Sequence, residues 1–198
     1  MIESDIALVD LDNSVCNHDG QLAIDLEKLR GPDEPKMMSW DKDNIPDHLF
    51  ARMNLIRASS DWWEKLPVIP RGMALVEVLR KLEFRIIILT QGPKVNPAAW
   101  EGKVRWVNKN MPFCNDITIT RDKGIVYGKV LVDDYPKYVE KWIEHRPRGL
   151  VIMPMYEYNM HFECGNLIRY HGVEQLPDIE VALQKVKDRK PNEKLEKE

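Results

Sequence analysis

Six residues in this sequence have the types and the placement to do chemistry together: Asp10, Asp12, Thr90, Lys123, Asp133 and Asp134. Asp10 and Asp12 follow the apolar run Ile6-Ala7-Leu8-Val9, and Thr90 closes Ile86-Ile87-Ile88-Leu89. Lys123 comes shortly after Ile117-Thr118-Ile119-Thr120, and the acidic pair ends Val130-Leu131-Val132. Carboxylates gathered at one point repel each other unless a cation sits among them, and hard oxygen donors with room for water suit Mg²⁺. A threonine hydroxyl and a lysine ammonium complement a phosphoryl group touching the same metal. Asp10 could then attack phosphorus as a covalent nucleophile. Asp12, two residues on, could protonate the leaving oxygen and later deprotonate water.

Such a set converges only if the apolar runs are neighbouring parallel strands, because ligands of open α/β sheets collect beyond the C-terminal strand ends. Five short strands are expected: Asp5 to Asp10, Phe84 to Thr90, Asp116 to Thr120, Val130 to Asp134 and Leu150 to Met153. Turn chemistry follows the second, as Gln91-Gly92-Pro93. Helical periodicity lies between them. Gly72 to Leu82 puts Met73, Val76 and Leu79 on one face, Pro97 to Asn110 puts Trp100, Val104 and Val107 together, and Pro136 to His145 is a third helix. Alternating strands and helices imply an α/β fold with a mostly parallel sheet. The stretch 16–70 breaks the alternation. It is too long for a structureless loop, so a small helical insertion is expected there, with a helix over Pro46 to Ser60 after a Pro- and Asp-rich stretch. The expected division is therefore a core of 1–15 and 71–184, an insertion of 16–70, and a charged, frayed tail of 185–198.

Composition narrows the classes of function. The chain has 198 residues, with 29 basic against 32 acidic side chains and a formal charge of -3, which provides no broad basic field for a nucleic-acid backbone or an anionic bilayer. The apolar content of 43% excludes disorder of the whole chain. No apolar run approaches the roughly 20 residues that span a bilayer. The opening Met1-Ile2-Glu3-Ser4-Asp5 is acidic where a secretory signal is basic and then apolar, so a cytoplasmic location is expected. Cys16, Cys114 and Cys164 are widely spaced with no CxxC pair, which suits small apolar residues better than a disulfide framework or a zinc site.

The stretches Val9-Asp10-Leu11-Asp12-Asn13-Ser14, Leu89-Thr90, Lys123 and Val132-Asp133-Asp134 resemble, in order, the four motifs of haloacid dehalogenase (HAD) superfamily phosphatases. Within that superfamily the chain is most similar to the 5′(3′)-deoxyribonucleotidases, which carry a small helical cap after the first strand. Leu66 to Gly72, Thr120-Arg121-Asp122-Lys123 and Leu131 to Pro136 support the likeness, which extends over roughly Ile6 to Asn159. The resemblance implies a Rossmann-like HAD core, with 16–70 as the cap. It makes Asp10 the phosphate-accepting nucleophile and a metal ligand, and Asp12 the general acid/base, offering its main-chain carbonyl to Mg²⁺. Thr90, Lys123 and the amides of Gln91 and Gly92 would hold the phosphate, Asp134 would ligate the metal directly, and Asp133 would support it. His18 stands where these nucleotidases have a Phe against the base, Asn13 where they have Gly, and Gln91 where a Ser is frequent. Trp62 and Trp63 represent their aromatic pair at the end of the cap and could stack on a base.

The implied activity is a Mg²⁺-dependent phosphomonoesterase with an aspartyl-phosphate intermediate, acting on (deoxy)nucleoside monophosphates. Nucleic-acid ends or sugar phosphates as substrates, and a non-catalytic binding module, stay open beside it. The acidic stretch Asp33 to Asp47 disfavours an extended polynucleotide. A homodimer is compatible with the resemblance. Several bland readings also stand. Trp62 and Trp63 could simply bury the cap, Trp40, in a polar stretch, is a weaker candidate for base contact, His18 could be a surface hinge residue, and Lys129 is a second candidate for the lysine role.

Overall fold

The apolar runs become the strands of one parallel sheet. The computed structural model describes residues 5–34, 45–114 and 116–189. Strands β1 (Ile6–Val9), β2 (Arg85–Thr90), β3 (Asp116–Ile119), β4 (Val130–Val132), β5 (Leu150–Pro154) and β6 (Leu167–Tyr170) lie in the order β3-β2-β1-β4-β5-β6. Every neighbouring pair is parallel, with Leu8 beside both Ile87 and Leu131. The inner strands are buried on both faces, which is why they read as continuous apolar runs rather than as alternating ones. The sixth strand was not expected. Leu-Ile-Arg-Tyr is a short, half-buried edge strand and carries too weak a pattern to be read alone.

Successive residues point to opposite faces. Ala7, Val9, Ile86, Ile88, Val130 and Val132 meet α4 (Pro70–Lys81), α5 (Pro97–Asn110) and α7 (Leu176–Asp188) on one side. Leu8, Leu89, Leu131 and Val151 meet Val139 and Trp142 of α6 (Pro136–His145) on the other. Proline at the start of α4, α5 and α6 supplies a preset φ where no amide partner is required. Helix α7 continues to Asp188 with Val186 buried, so the start of the expected tail is helical, and residues 190–198 lie outside the described residues. No helix among the described residues is long and apolar enough to cross a membrane.

Between β1 and α4 come α1 (His18–Lys28), α2 (Asp47–Arg57) and α3 (Ser60–Glu64). Helix α1 went unread, although Asn17 caps it through the Gly20 amide and Leu22 and Leu26 share its buried side. The helix expected over Pro46 to Ser60 ends at Arg57, and Ser59 then caps α3 through the Trp62 amide. Leu22, Leu26 and Met53 form a small core of their own. Trp63 instead belongs to the main core, on α3 packed against α5. That packing needs Gly102, because a Cβ there would sit 2.4 Å from both the Ser60 carbonyl oxygen and the Trp63 Cβ.

This close approach also sets the rotation of α5, which buries Val107 of the expected face but turns Trp100 outward. Ala99, Gly102, Lys103, Trp106 and Val107 are buried, while Trp100 is 41% exposed and donates to the Pro93 carbonyl at 2.9 Å. Trp40 and the acidic residues Asp41 and Asp43 lie outside the described residues.

Candidate active site

The chain leaves β1 toward β2 on one side and leaves β4 toward β5 on the other, so a crevice opens beyond the C-terminal ends of β1 and β4. Asp10 continues the ladder through its amide to the Val132 carbonyl (2.8 Å), and Asp133 does so to Ile152 (3.3 Å). The two acidic motifs are therefore held side by side by the sheet itself. Oxygens of Asp10, Asp133 and Asp134 lie within 4.8 Å of one another. All three are hard carboxylate donors, the set that suits Mg²⁺.

Their partners divide the work. Lys123 is fully buried and bridges Asp10 (2.8 Å) and Asp133 (2.6 Å), with its ammonium 4.7 Å from the centre of the Tyr138 ring. Burial alone would lower the lysine pKa. The two carboxylates outweigh it and hold Lys123 well above the ordinary lysine range. Burial pushes Asp133 up, against the pull of Lys123. One ammonium is thus shared between the two carboxylates. The other oxygen of Asp133 accepts from the Tyr135 amide (2.9 Å), so both of its oxygens are engaged within the protein. Lys129, the other candidate, pairs with Asp5 at 2.8 Å at the opposite end of the strands.

A second buried lysine was missed by sequence reading. Lys103 donates to Asp12 Oδ2 (2.7 Å), Thr90 Oγ1 (2.9 Å) and the Gln91 carbonyl (2.8 Å), joining the first and second motifs. Burial opposes the charge on Asp12, but Lys103, with His18 nearby, holds it below the ordinary carboxylate range. The Cys16 thiol faces the other Asp12 oxygen at 3.6 Å, and burial together with that carboxylate pushes its pKa well up. The signal for Lys103 was present, since a lysine between Ala99, Trp106 and Val107 on the inner face of a helix must find a carboxylate.

The surrounding loops brace this arrangement. Asn13 takes φ 58°, the left-handed conformation that Gly would adopt, and its Oδ1 accepts from the Asp19 amide at 3.1 Å. Tyr156 donates to the Asn13 carbonyl (2.6 Å) and stacks on Tyr158, whose hydroxyl donates to Asp134. Tyr138 donates to the Gln91 side chain, tying α6 to the turn after β2.

The crevice continues into a cleft of about 320 Å³ between the sheet end and α1 and α2. Asp10, Asp12, Gln91, Asp134 and His18 line it. Thr90 and Lys123 are one layer behind, fully buried against Lys103 and Asp10. The tryptophans are not in the lining. Trp63 stacks behind His18 with ring centres 5.1 Å apart, and Trp62 meets His18 edge-on at 5.5 Å while donating to Asp25 at 2.8 Å. Ile45, Phe50, Met53 and Leu22 supply the apolar wall instead, together with Arg57.

The chain resembles known proteins in sequence and in fold. A family model described as "5' nucleotidase, deoxy (Pyrimidine), cytosolic type C protein" matches residues 4–184. Among curated proteins no significant sequence match is found. A HAD hydrolase of family IA, variant 3, from Entamoeba histolytica superposes with a TM-score of 0.57 at 11% identity, covering 91% of this chain and 99% of that one. A HAD family hydrolase from Deinococcus radiodurans R1, solved with phosphate and sodium, gives 0.54 at 11% identity over 93% and 96% of the chains. The HAD-fold protein YfnB from Bacillus subtilis, solved with magnesium, gives 0.55 at 13% identity over 89% and 98%.

Proposed function

This chain belongs to the 5' nucleotidase, deoxy (Pyrimidine), cytosolic type C family and is a HAD-type phosphatase; from that premise we propose that it hydrolyses (deoxy)nucleoside 5′-monophosphates through an aspartyl-phosphate on Asp10. The observation that carries the mechanism is the pairing of two buried lysines with two acids. Lys123 holds Asp10 and Lys103 holds Asp12, at the mouth of one small cleft. A volume of about 320 Å³ is at the small end of ligand sites and fits one ester rather than a polymer.

In the first step an Asp10 oxygen bonds to phosphorus as the ester P–O bond breaks, and Asp12, ionised beside Lys103, relays the proton of the monoanionic ester to the departing oxygen. In the second, Asp12 takes a proton from water while the water oxygen bonds to phosphorus and the Asp10–phosphorus linkage breaks, and it passes that proton to the released phosphate, restoring Asp10 and the ionised Asp12. Lys123 orients Asp10 for attack, the Gln91 and Gly92 amides cradle the phosphoryl oxygens, and Thr90 braces that turn from one layer behind through Lys103. Asp10 and Asp134, with the Asp12 main-chain carbonyl, would hold Mg²⁺, while Asp133 remains on Lys123. When bound, the ion supplies positive charge to the phosphoryl oxygens. Residues 16–70 act as a cap, anchored to the core by Trp63, that excludes bulk water and selects the leaving group.

The test is a panel of nucleoside monophosphates, sugar phosphates and a phosphorylated oligonucleotide, assayed with Mg²⁺ and with a chelator. Hydrolysis of the monophosphates that the chelator stops, and that Asp10→Asn abolishes in a folded protein, is expected. Full turnover by Asp10→Asn would sink the mechanism.

A further inference from the structure

Arg57 is a charged side chain of the cleft that the phosphoryl chemistry leaves unused. It is the last residue of α2, and its main-chain carbonyl is pinned from two sides, accepting from Trp63 Nε1 at 2.9 Å and Asn96 Nδ2 at 2.7 Å. Its side chain lines the cleft and its Nε is buried without a hydrogen-bond partner. Among the described residues the guanidinium makes no ion pair at contact distance. Burial lowers its pKa, and Asp19 and Asp12 act on it only through space. A second orphan lies in the same lining. His18 is 7% exposed, its Nδ1 sits 2.6 Å from Asp19, and its Nε2 is buried with no partner. Buried polar groups left unmatched in a protein are costly unless a ligand or water completes them.

Resting on the reading above, we propose that Arg57 is the specificity-determining residue that recognises the leaving group, donating to a carbonyl oxygen of a flat, uncharged ring. A guanidinium only donates, so its partner must be an acceptor. Asp12 and Asp19 beside it disfavour a second anion. Leu22, Ile45, Phe50 and Met53 form the rest of that wall and suit the face of a planar ring. A nucleobase with ring carbonyls meets all three conditions.

The experiment compares kcat/KM for dUMP, 2-deoxyribose 5-phosphate and deoxyuridine 3′,5′-bisphosphate in the full chain, Arg57→Leu and Arg57→Gln, with thermal melts of each. The second variant keeps the test usable if the first is poorly folded. In the wild type dUMP should be preferred over the base-free ester. In both variants that preference should shrink by about 10- to 100-fold, the range for losing a hydrogen bond to a charged donor. An unchanged preference, or a wild type that treats the two esters alike, overturns the role of Arg57 and leaves the phosphatase reading standing. A wild-type preference for the bisphosphate that Arg57→Leu removes overturns the neutral carbonyl in favour of a second phosphate. Failure to hydrolyse any of the three overturns the nucleotidase reading itself.

Discussion

Replacing Lys103 by Met tests whether the second lysine positions the proton-transfer residue. The side chain is 2% exposed and makes three hydrogen bonds, to Asp12, Thr90 and the Gln91 carbonyl. Methionine fills nearly the same volume and removes every donor. Breaking a fully buried ion pair costs about 3–5 kcal/mol. The Asp12 side chain is 27% exposed toward the cleft, so water can reach it, and a loss of about 2–3 kcal/mol is the better expectation. For a chain of this size that lowers the melting temperature by about 5–10 °C. Asp12 would also lose the contact that aims it, and kcat should fall by about 100-fold, the lower range of acid–base contributions. The assay is steady-state hydrolysis of the preferred nucleotide at a temperature where circular dichroism shows the variant folded. A cycle with Asp12→Asn completes it. If the two residues act as a unit, the double variant is about as slow as the worse single one. Multiplicative losses, or a Lys103→Met enzyme within threefold of wild type, would refute the reasoning.

Other perturbations have equally definite outcomes. Gly102→Ala should destabilise by about 1–3 kcal/mol, read by urea unfolding, because the new methyl meets the Ser60 carbonyl and Trp63 at 2.4 Å. Mg²⁺ should raise the melting temperature of the wild type, and Asp134→Asn should weaken that shift as the apparent Kd rises, measured by titration calorimetry. Glu34 accepts from both Arg52 terminal nitrogens and from the Gly31 amide, and these bonds hold it at about 2 instead of 4.5. Its folded pKa is depressed, so its contribution is present above pH 4.5 and is lost as pH falls toward 2. Amide exchange should show α2 loosening across that window, and Glu34→Gln should remove this part of the pH dependence.

The first, second and fourth strands, and the acids that follow the first and fourth, were legible because a strand buried on both faces leaves an uninterrupted apolar run with a polar end. Alternation with amphipathic helices then specified a parallel sheet, and strand ends specified where the chemistry collects. Asp10, Asp12, Lys123, Asp133 and Asp134 follow from those local patterns. Lys103, Tyr138, Tyr158 and Arg57 do not, because each reaches the site from an element whose rotation is set by what packs against it. Lys103 reaches Asp12 only because Gly102 lets α3 press on α5 and turns Trp100 outward. Trp62 and Trp63, for which base contact and burial of the cap were both open, lie behind His18, since α3 belongs to the packing of the core and the cleft wall falls to α1 and α2. The sequence alone determined the order of motifs and the chemistry they can perform. Tertiary packing decided which charges meet, because side-chain contact across elements depends on helix rotation and close approach, and neither is encoded by spacing along the chain.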